Sequence, residues 1–445
     1  MKKIITLIAV SLLLSSSAFA LNVENPVPDL QTPGTLSQGL KSWWNGPYFT
    51  GDWDKIRTRL ATHGIEFVST YVIDTLGSVA GGKRQSFAED SSLGMDLNVD
   101  FEKAASLKGL QFHVSMVYRQ GNNLASDIGN KFPPSSIYGS EQIRLYNLYV
   151  EQAVFDDKLS LKFGRLGAGD DFAQSPLYWT FLTNSIDGCP INLPINFFFT
   201  VYPTSTWGAR LKFHPTSAFM WKGGIYHQDS GVGRNAAHGA DFTWRDKGLL
   251  YIQELSYLPN QYPAAKGMPG NYKLGLFYST GDFKDQYLDK NGSSYALTGL
   301  PQRERNGNYG LYFHADQQIY REPGPKKDQG LTPLFVMVFQ PTNVNQIPFF
   351  FDGGLIYKGL VPKRDDDVTA VGFAWGAWSR NLNKYQHDAG LYEQKYEVIL
   401  EATYKIAVNQ WLYIQPDVQY IINPSGGTKD LPDALVIGAR TGVTF

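Results

Sequence analysis

Cysteine is almost missing from this chain of 445 residues, which contains only Cys189. No disulfide can form within the chain, so a secreted scaffold held together by disulfides is excluded. Long apolar runs are missing too: beyond residue 20 there is no stretch of about 18 apolar residues, and the mean hydropathy is -0.26. Together these absences exclude a bundle of membrane-spanning helices. The net charge of -1 argues against a nucleic-acid partner, which a strongly basic chain would favour.

Aromatic residues and glycine, in contrast, are abundant. The chain is 14% aromatic and contains 44 glycines. This composition leaves two classes open, a large secreted β protein and a β-barrel of an outer membrane.

The N-terminus has the order of a secretory signal, with two lysines, a short apolar run and then Ala18, Phe19 and Ala20. We predict cleavage after Ala20, so that residues 1–20 are the signal peptide of a protein exported by a Gram-negative bacterium. Residues 21–63 form a predicted leader that is proline-rich at its start and ends in a short periplasmic helix. Asp52 is the expected N-cap of that helix, and Gly64 is its expected stop.

From residue 64 to residue 445 the apolar residues recur at every second position, which is typical of β-strands with two unlike faces. The pattern predicts sixteen strands: 64–79, 92–103, 108–120, 142–155, 158–166, 205–214, 218–229, 247–259, 270–281, 308–320, 331–341, 348–360, 368–380, 392–408, 410–423 and 433–445. Many have about 10 residues or more, which suits tilted strands that cross a membrane. The connections alternate, with some exceptions, between tight turns and long loops. An even strand count with this alternation predicts an antiparallel porin-like barrel with both termini on the periplasmic side.

The strand that contains "YEVILEATYKIAV" decides which face meets lipid. Leu400 and Ala402 alternate with Glu397 and Glu401. A soluble sandwich would bury the apolar face, but sixteen long strands would need a very large two-sheet core. A closed barrel satisfies every backbone group without a free edge, as lipid requires, so we expect the apolar face to point outward and the polar face to line a wet lumen. Pro416 removes a ladder donor from the neighbouring strand, and we expect a bulge there.

Four stretches resemble the carbohydrate-selective outer-membrane porins, the OprB-type family: "GDWDKIRTRLATHGI" (51–65), "NFFFTVYPTSTWGARLKFHP" (196–215), "QPDVQYIINPSG" (415–426) and "DALVIGARTGVTF" (433–445). The resemblance implies a sixteen-stranded barrel in the bacterial outer membrane that passes glucose and similar sugars by facilitated diffusion. The last residue, Phe445, resembles the terminal aromatic that outer-membrane proteins present to their insertion machinery.

The longest predicted connection, residues 167–204, is rich in aromatic and amide residues. A loop of this length is either functional or disordered, and its aromatic content argues against disorder. We expect it to fold inward and narrow the pore.

A hexose offers neighbouring hydroxyls, which suit arginine and carboxylate groups, and an apolar C–H face, which suits an aromatic ring. Its binding must stay weak enough for release. We therefore expect loop residues to face wall residues across the constriction. The candidates are Asp170, Asp171, Trp179 and Asn184 on the loop, and Arg119, Glu151, Arg210 and Arg440 on the wall. Each charge has a simpler alternative role, which is to pair with a charge on an adjacent strand, and Trp179 could instead wedge the loop against the wall.

The function most compatible with these features is passive transport of neutral mono- or disaccharides. A general diffusion porin without a sugar site is the first alternative, and an enzyme or adhesin on a barrel scaffold is the second. The charges of both signs in the predicted lumen argue against an anion channel. No catalytic constellation and no metal-ligand spacing stands out, so we predict no enzyme activity, no metal and no cofactor. The predicted partners are sugars, outer-membrane lipid and the insertion machinery, and the sequence leaves open whether the barrel is a monomer or a trimer.

Overall fold

The computed structural model describes residues 36–139, 141–262, 265–428 and 430–445. The predicted signal peptide and the start of the predicted leader lie outside these residues. Within them are seventeen strands: β1 Ile65–Ala80, β2 Ser86–Asp100, β3 Leu110–Gln120, β4 Gln142–Val154, β5 Leu159–Leu166, β6 Thr206–Thr216, β7 Phe219–His227, β8 Leu249–Tyr257, β9 Gly270–Asp289, β10 Gln302–Gln317, β11 Tyr320–Arg321, β12 Gly330–Phe339, β13 Phe349–Lys358, β14 Val368–Ala377, β15 Tyr396–Ala407, β16 Leu412–Ile422 and β17 Ala434–Thr444. Sixteen of these are long, and β11 has only two residues.

Each long strand pairs antiparallel with the next one along the chain, and β1 also pairs with β17. The first and last strands meet in one register from Thr70 opposite Thr444 to Ser78 opposite Val436. The sheet therefore closes on itself, which confirms the predicted sixteen-stranded antiparallel barrel. The alternation of faces is as predicted: Glu397 and Glu401 on β15 are buried inside, whereas Leu400 and Ala402 are exposed outside.

Two local predictions about the strands are wrong. The register of β15 against β16 is the same before and after Pro416, from Thr403 opposite Asp417 to Ile406 opposite Ile414, so the proline interrupts the ladder without a bulge. Strand β2 begins at Ser86 rather than at residue 92. Asp90, Ser91 and Ser92 in its first half are buried inside the barrel, and these consecutive polar residues masked the strand pattern.

The two ends of the barrel differ in their connections. The end that holds both termini has the short turns 155–158, 217–218 and 408–411, whereas the opposite end has the long connections 121–141, 167–205, 228–248 and 378–395. The helices of the described residues are short: α1 Leu36–Trp44, α2 Ile56–Thr62, α3 Phe101–Ala105, α4 Ala125–Ile128, α5 Ala168–Asp171, α6 Asn192–Asn196, α7 Tyr295–Thr298 and α8 Arg380–Asp388. None of them is both long enough and apolar enough to cross a membrane.

The segment before β1 packs against the C-terminus. The backbone N–H of Phe49 donates to the carbonyl oxygen of Thr444 at 2.8 Å, and the Phe49 ring lies 5.6 Å from Phe445 and 5.1 Å from Trp411 between ring centroids. Arg57 on α2 donates to the carbonyl oxygen of Phe67 on β1. The N-terminal segment therefore covers the seam where β17 meets β1.

The main hydrophobic core lies inside the barrel. The long loop, residues 167–205, buries a set of apolar side chains against the inner wall; they are Phe172, Tyr178, Phe181, Leu182, Ile186, Leu193 and Phe199. The wall supplies Tyr226, Leu250, Ile252, Phe277, Val336, Val338, Phe350 and Ile399 to the same core. The prediction of an inward-folded loop is thus confirmed, but the wet lumen predicted along the whole wall is wrong, because the loop makes this part of the wall dry.

A shorter inner loop, residues 121–139, joins the same core. Its Ile128 and Phe132 are fully buried, and the Phe132 ring packs edge-on against Phe350 at 5.7 Å. Two loops, rather than the single one that was predicted, therefore fill the lumen.

Candidate functional site in the barrel lumen

A cluster of charges fixes the start of the long loop to the barrel wall. The carboxylate of Asp171 accepts hydrogen bonds from Lys162 on β5 at 3.0 and 3.1 Å and from Nε of Arg210 on β6 at 3.2 Å. Arg210 also donates to Glu151 on β4 at 3.0 Å and to Ser160 at 2.8 Å. Burial alone would raise the pKa of Asp171, but the nearby Lys162 and Arg210 hold this pKa well below its usual range. The cluster thus keeps Asp171 ionised in a buried position.

The backbone of the same loop segment is held from neighbouring strands. The ammonium of Lys222 on β7 donates to the carbonyl oxygen of Asp171 and pairs with Glu254 on β8 at 2.8 Å. Glu254 in turn accepts from the backbone N–H of Ala173 at 3.2 Å and from the hydroxyl of Tyr312 at 2.6 Å. The loop is therefore held by charge-assisted hydrogen bonds, which are the stronger kind.

The middle of the loop is held from the far side of the barrel. Glu401 on β15 accepts from the backbone N–H groups of Leu182 at 2.7 Å and Thr183 at 3.0 Å. Gln415 on β16 donates to the carbonyl oxygen of Thr180 at 2.7 Å. The long loop therefore spans the lumen from β4 and β5 to β15 and β16.

Arg440 on β17 connects both inner loops to the wall. Its guanidinium donates to both carboxylate oxygens of Asp74 on β1 at 2.7 and 2.8 Å, to Asp187 on the long loop at 3.3 Å and to Ser136 on the shorter inner loop at 3.0 Å. Burial raises the pKa of Asp187 to about 6, while Arg440 acts in the opposite direction. Arg440 thus lies where the seam strands and the two loops meet.

Arg119 on β3 contacts the shorter inner loop. It donates to the carbonyl oxygens of Tyr138 at 3.0 Å and Ser136 at 3.3 Å, and its guanidinium carbon lies 4.5 Å from the centroid of the Tyr202 ring. The hydroxyl of Tyr202 is hydrogen-bonded to Ser92 at 2.7 Å. The arginine is therefore fixed against an aromatic ring of the long loop.

Three of the predicted loop residues remain open to the lumen. Asp170 is exposed, although its carboxylate accepts hydrogen bonds from the hydroxyl of Tyr146 and from the Asn147 amide. Trp179 lies on the short 3₁₀ helix Tyr178–Thr180 and is half-buried, and so is Asn184. A carboxylate, an amide and an indole of one inward-folded loop thus keep part of their surface accessible to a passing solute.

The structure divides the eight candidates into groups rather than into one ring. Glu151, Asp171 and Arg210 form one cluster, Arg440 belongs to a second one with Asp74 and Asp187, and Arg119 contacts the shorter inner loop. Asp74, Asp187 and Tyr202 were not predicted from the sequence. The shorter inner loop was not predicted either; its signal in the sequence is the pair of apolar residues Ile128 and Phe132 beside Pro133 and Pro134.

Comparisons with known proteins agree with this architecture. The model of the carbohydrate-selective porin family, OprB, matches residues 84–445. The chain is 28% identical over 428 residues to Porin B of Pseudomonas aeruginosa, in an alignment that covers 90% of this chain and 92% of that protein. It is 23% identical over 428 residues to the putative porin QuiX of Acinetobacter baylyi, over 89% of this chain and 93% of that protein. The high-pH structure of Pseudomonas putida OprB superimposes with a TM-score of 0.84 at 26% identity, over 90% of this chain and 99% of that one.

Proposed function

We propose, from the premise that this chain belongs to the carbohydrate-selective porin family, OprB, that the surface of its long loop recognises neutral sugars through Asp170, Trp179 and Asn184. The chain is an outer-membrane porin for carbohydrates. Some side chains of the lumen touch the sugar, and others only hold the loops that build the constriction.

The observation that carries the proposal is the different exposure of the predicted residues. The polar atoms of Arg210 and Arg440 are occupied by carboxylates and hydroxyls of the protein, and both residues are at most 5% exposed. Asp170 is exposed, and Trp179 and Asn184 are half-buried. Carboxylate and amide oxygens can accept from sugar hydroxyls, and an indole can cover a C–H face. We assign Arg119, Glu151, Asp171, Arg210 and Arg440 to holding the loops.

Weak binding follows from the small number of open groups. A solute that exchanges water for a few hydrogen bonds and one ring contact gains little net free energy, which is what permeation requires. The same surface offers no activated nucleophile, so we propose passive diffusion without chemistry. The apolar outer face of the strands is proposed to contact outer-membrane lipid.

Single-channel current with added glucose tests this assignment. The substitutions Trp179→Ala and Asp170→Asn should each weaken the glucose-dependent block of the current by about tenfold, which corresponds to the loss of one charge-assisted or stacking contact. Trp244→Ala, which removes an exposed tryptophan from the connection 228–248, is the matched control and should leave the block unchanged.

Other outcomes would contradict the proposal in distinct ways. Unchanged glucose affinity in both loop variants would overturn the assignment of these residues. Conductance without any block by glucose in the unmodified protein would favour a general diffusion porin. A protein that does not conduct at all would favour an enzyme or an adhesin on a barrel scaffold.

A further inference from the structure

A cavity lies at the mouth of the barrel opposite the termini. Its volume is about 360 Å³, and it lies between the connection 81–85, the shorter inner loop, the long loop and the connection 423–433. Sites for small molecules begin at about this size, roughly 300 Å³. Because the termini of such barrels are periplasmic, this cavity faces the outside of the cell, where solutes enter.

The charges that line this cavity have one sign. Its lining includes Lys83 and Lys131 but no aspartate or glutamate. Among the described residues neither ammonium has a carboxylate within 4.0 Å, unlike most lumen charges described above. The lining therefore carries only positive charge and attracts anions, although the buried carboxylate of Glu397, outside the lining, interacts with Lys131.

The lining also contains a polar atom without a partner. Asn130 is 8% exposed, and its amide nitrogen donates to the carbonyl oxygen of Phe132. This bond uses the nitrogen and leaves Oδ1 without a hydrogen bond. This oxygen has almost no accessible surface, so the polar groups of the lining that can meet a solute are the hydroxyls of Ser126, Tyr138 and Ser425.

Both lysines are attached to fixed backbone. The N–H of Lys83 donates to the carbonyl oxygen of Ile128 at 3.0 Å. The N–H groups of Lys131 and Phe132 both donate to the buried carboxylate of Glu397 at 2.8 Å. The cavity is thus held open by the same wall contacts that fix the shorter inner loop.

We propose that this cavity binds sugar acids, which are polyhydroxylated monocarboxylates, before they enter the constriction. The carboxylate would lie between the two ammonium groups, hydroxyls would hydrogen-bond with Ser126, Tyr138 and Ser425, and the C–H face would lie against Ile191 and Ile195, which also line the cavity. The inference rests on the proposed function, since it makes this cavity the entry site of the same pore. It adds a substrate class that the neutral-sugar surface of the long loop does not explain.

The test measures block of single-channel current by gluconate, glucose and acetate, each added on the side opposite the termini. Gluconate should bind about tenfold more tightly than glucose, because one charge-assisted contact is worth about 1.5 kcal/mol or more. Acetate, which has the charge but lacks the hydroxyls, should bind more weakly than gluconate. Lys83→Gln and Lys131→Gln should each remove most of the advantage of gluconate and leave glucose block unchanged.

Lys290→Gln is the matched control, because Lys290 is an exposed lysine in the connection 290–301 outside this cavity. It should leave gluconate block unchanged. Lys83 is exposed, so its substitution leaves the packing intact, and the conductance without solute reports correct folding of every variant.

Each contrary result has a separate meaning. Equal block by gluconate and glucose in the unmodified protein would overturn this inference and leave the proposed function standing. Gluconate block that is stronger than glucose block but unchanged in both lysine variants would overturn the site. Gluconate block equal to acetate block would reduce the cavity to an anion site without sugar recognition. The inference would instead be supported if Trp179→Ala lost the block by glucose and kept the block by gluconate, because the two solutes would then bind at separate sites.

Discussion

Asp171 is the residue on which the charge contacts of the long loop converge. Lys162 and Arg210 bind its carboxylate, Lys222 binds its carbonyl oxygen, and only 8% of the residue is exposed. In a buried cluster of this kind, the loss of one partner leaves the others uncompensated, which costs more than the pair contributes in total. The function of Asp171 at this scale is to fix the loop rather than to bind solute.

Asp171→Asn should lower the free energy of unfolding by about 3 kcal/mol, because it leaves the buried Lys162 without its ion-pair partner and Arg210 with Glu151 alone. The unfolding free energy is measured by denaturant titration of the barrel in lipid vesicles. Asp156→Asn is the control: Asp156 pairs with Lys108 at 3.1 Å, but its side chain is 87% exposed, and its loss should cost less than about 1 kcal/mol. Equal losses in the two variants would show that the cluster does not hold the loop.

The sequence pattern predicts the direction of a wall residue but not its partner. The parity of the last strand points Arg440 into the lumen, and it lies there. That it binds Asp74 and Asp187 depends on barrel closure and on the path of a loop, and neither is a local property of the sequence. Charges that seem free in the sequence are therefore mostly paired in the fold.

At the scale of elements, the inner wall is apolar wherever a loop covers it. Strand β12 reads "GLTPLFVMVF" and is apolar on both faces, with Val336 and Val338 buried inside the barrel. A strand with a wet lumen face would alternate, so a run that is apolar on both faces indicates a covered wall. This signal was present in the sequence, but identifying the covering loop needs the three-dimensional path.

Glycines let the loops lie close to the wall. A Cβ atom on Gly372 of β14 would lie 2.5 Å from the Phe181 ring, and one on Gly354 of β13 would lie 2.8 Å from it. On the same strand β14, a Cβ on Gly376 would lie 2.5 Å from the Phe132 ring of the other inner loop. In each inner loop, therefore, one aromatic ring packs directly against the backbone of a wall strand at a glycine.

Gly372→Ala should push Phe181 away from the wall, lower the free energy of unfolding by about 1–3 kcal/mol as overpacking does, and change the single-channel conductance. Gly94→Ala on β2 is the matched control, because the nearest atom to its added Cβ is 3.8 Å away. It should change neither quantity. Unchanged conductance in Gly372→Ala together with lost stability would mean that the ring supports the wall without shaping the pore.

At the scale of the whole molecule, the barrel depends on the closure of β1 against β17. Seam contacts come from inside and outside the sheet: Arg440 pairs with Asp74 across the seam within the lumen, and Phe49 covers Phe445 at the terminal end. No edge remains between the first and last strands, as a lipid environment requires. The N-terminal segment thus packs against the last residues of the C-terminal strand.

Phe445 has a ring contact with Phe49, so its structural role and its proposed role as a signal to the insertion machinery can be separated. Phe445→Ala and Phe49→Ala both remove this ring pair, which is worth about 0.5–1.5 kcal/mol, and Phe49→Ala also loses the contacts of Phe49 with Trp43 and Trp411. Phe49→Ala should therefore lose at least as much stability in vitro.

If the insertion machinery recognises the terminal ring, Phe445→Ala should still reduce the amount of folded barrel in the outer membrane of cells several-fold more than Phe49→Ala does. The folded amount is measured from the heat-dependent shift in gel mobility. If the folded amount instead follows the loss of stability measured in vitro, Phe445 acts through its packing alone.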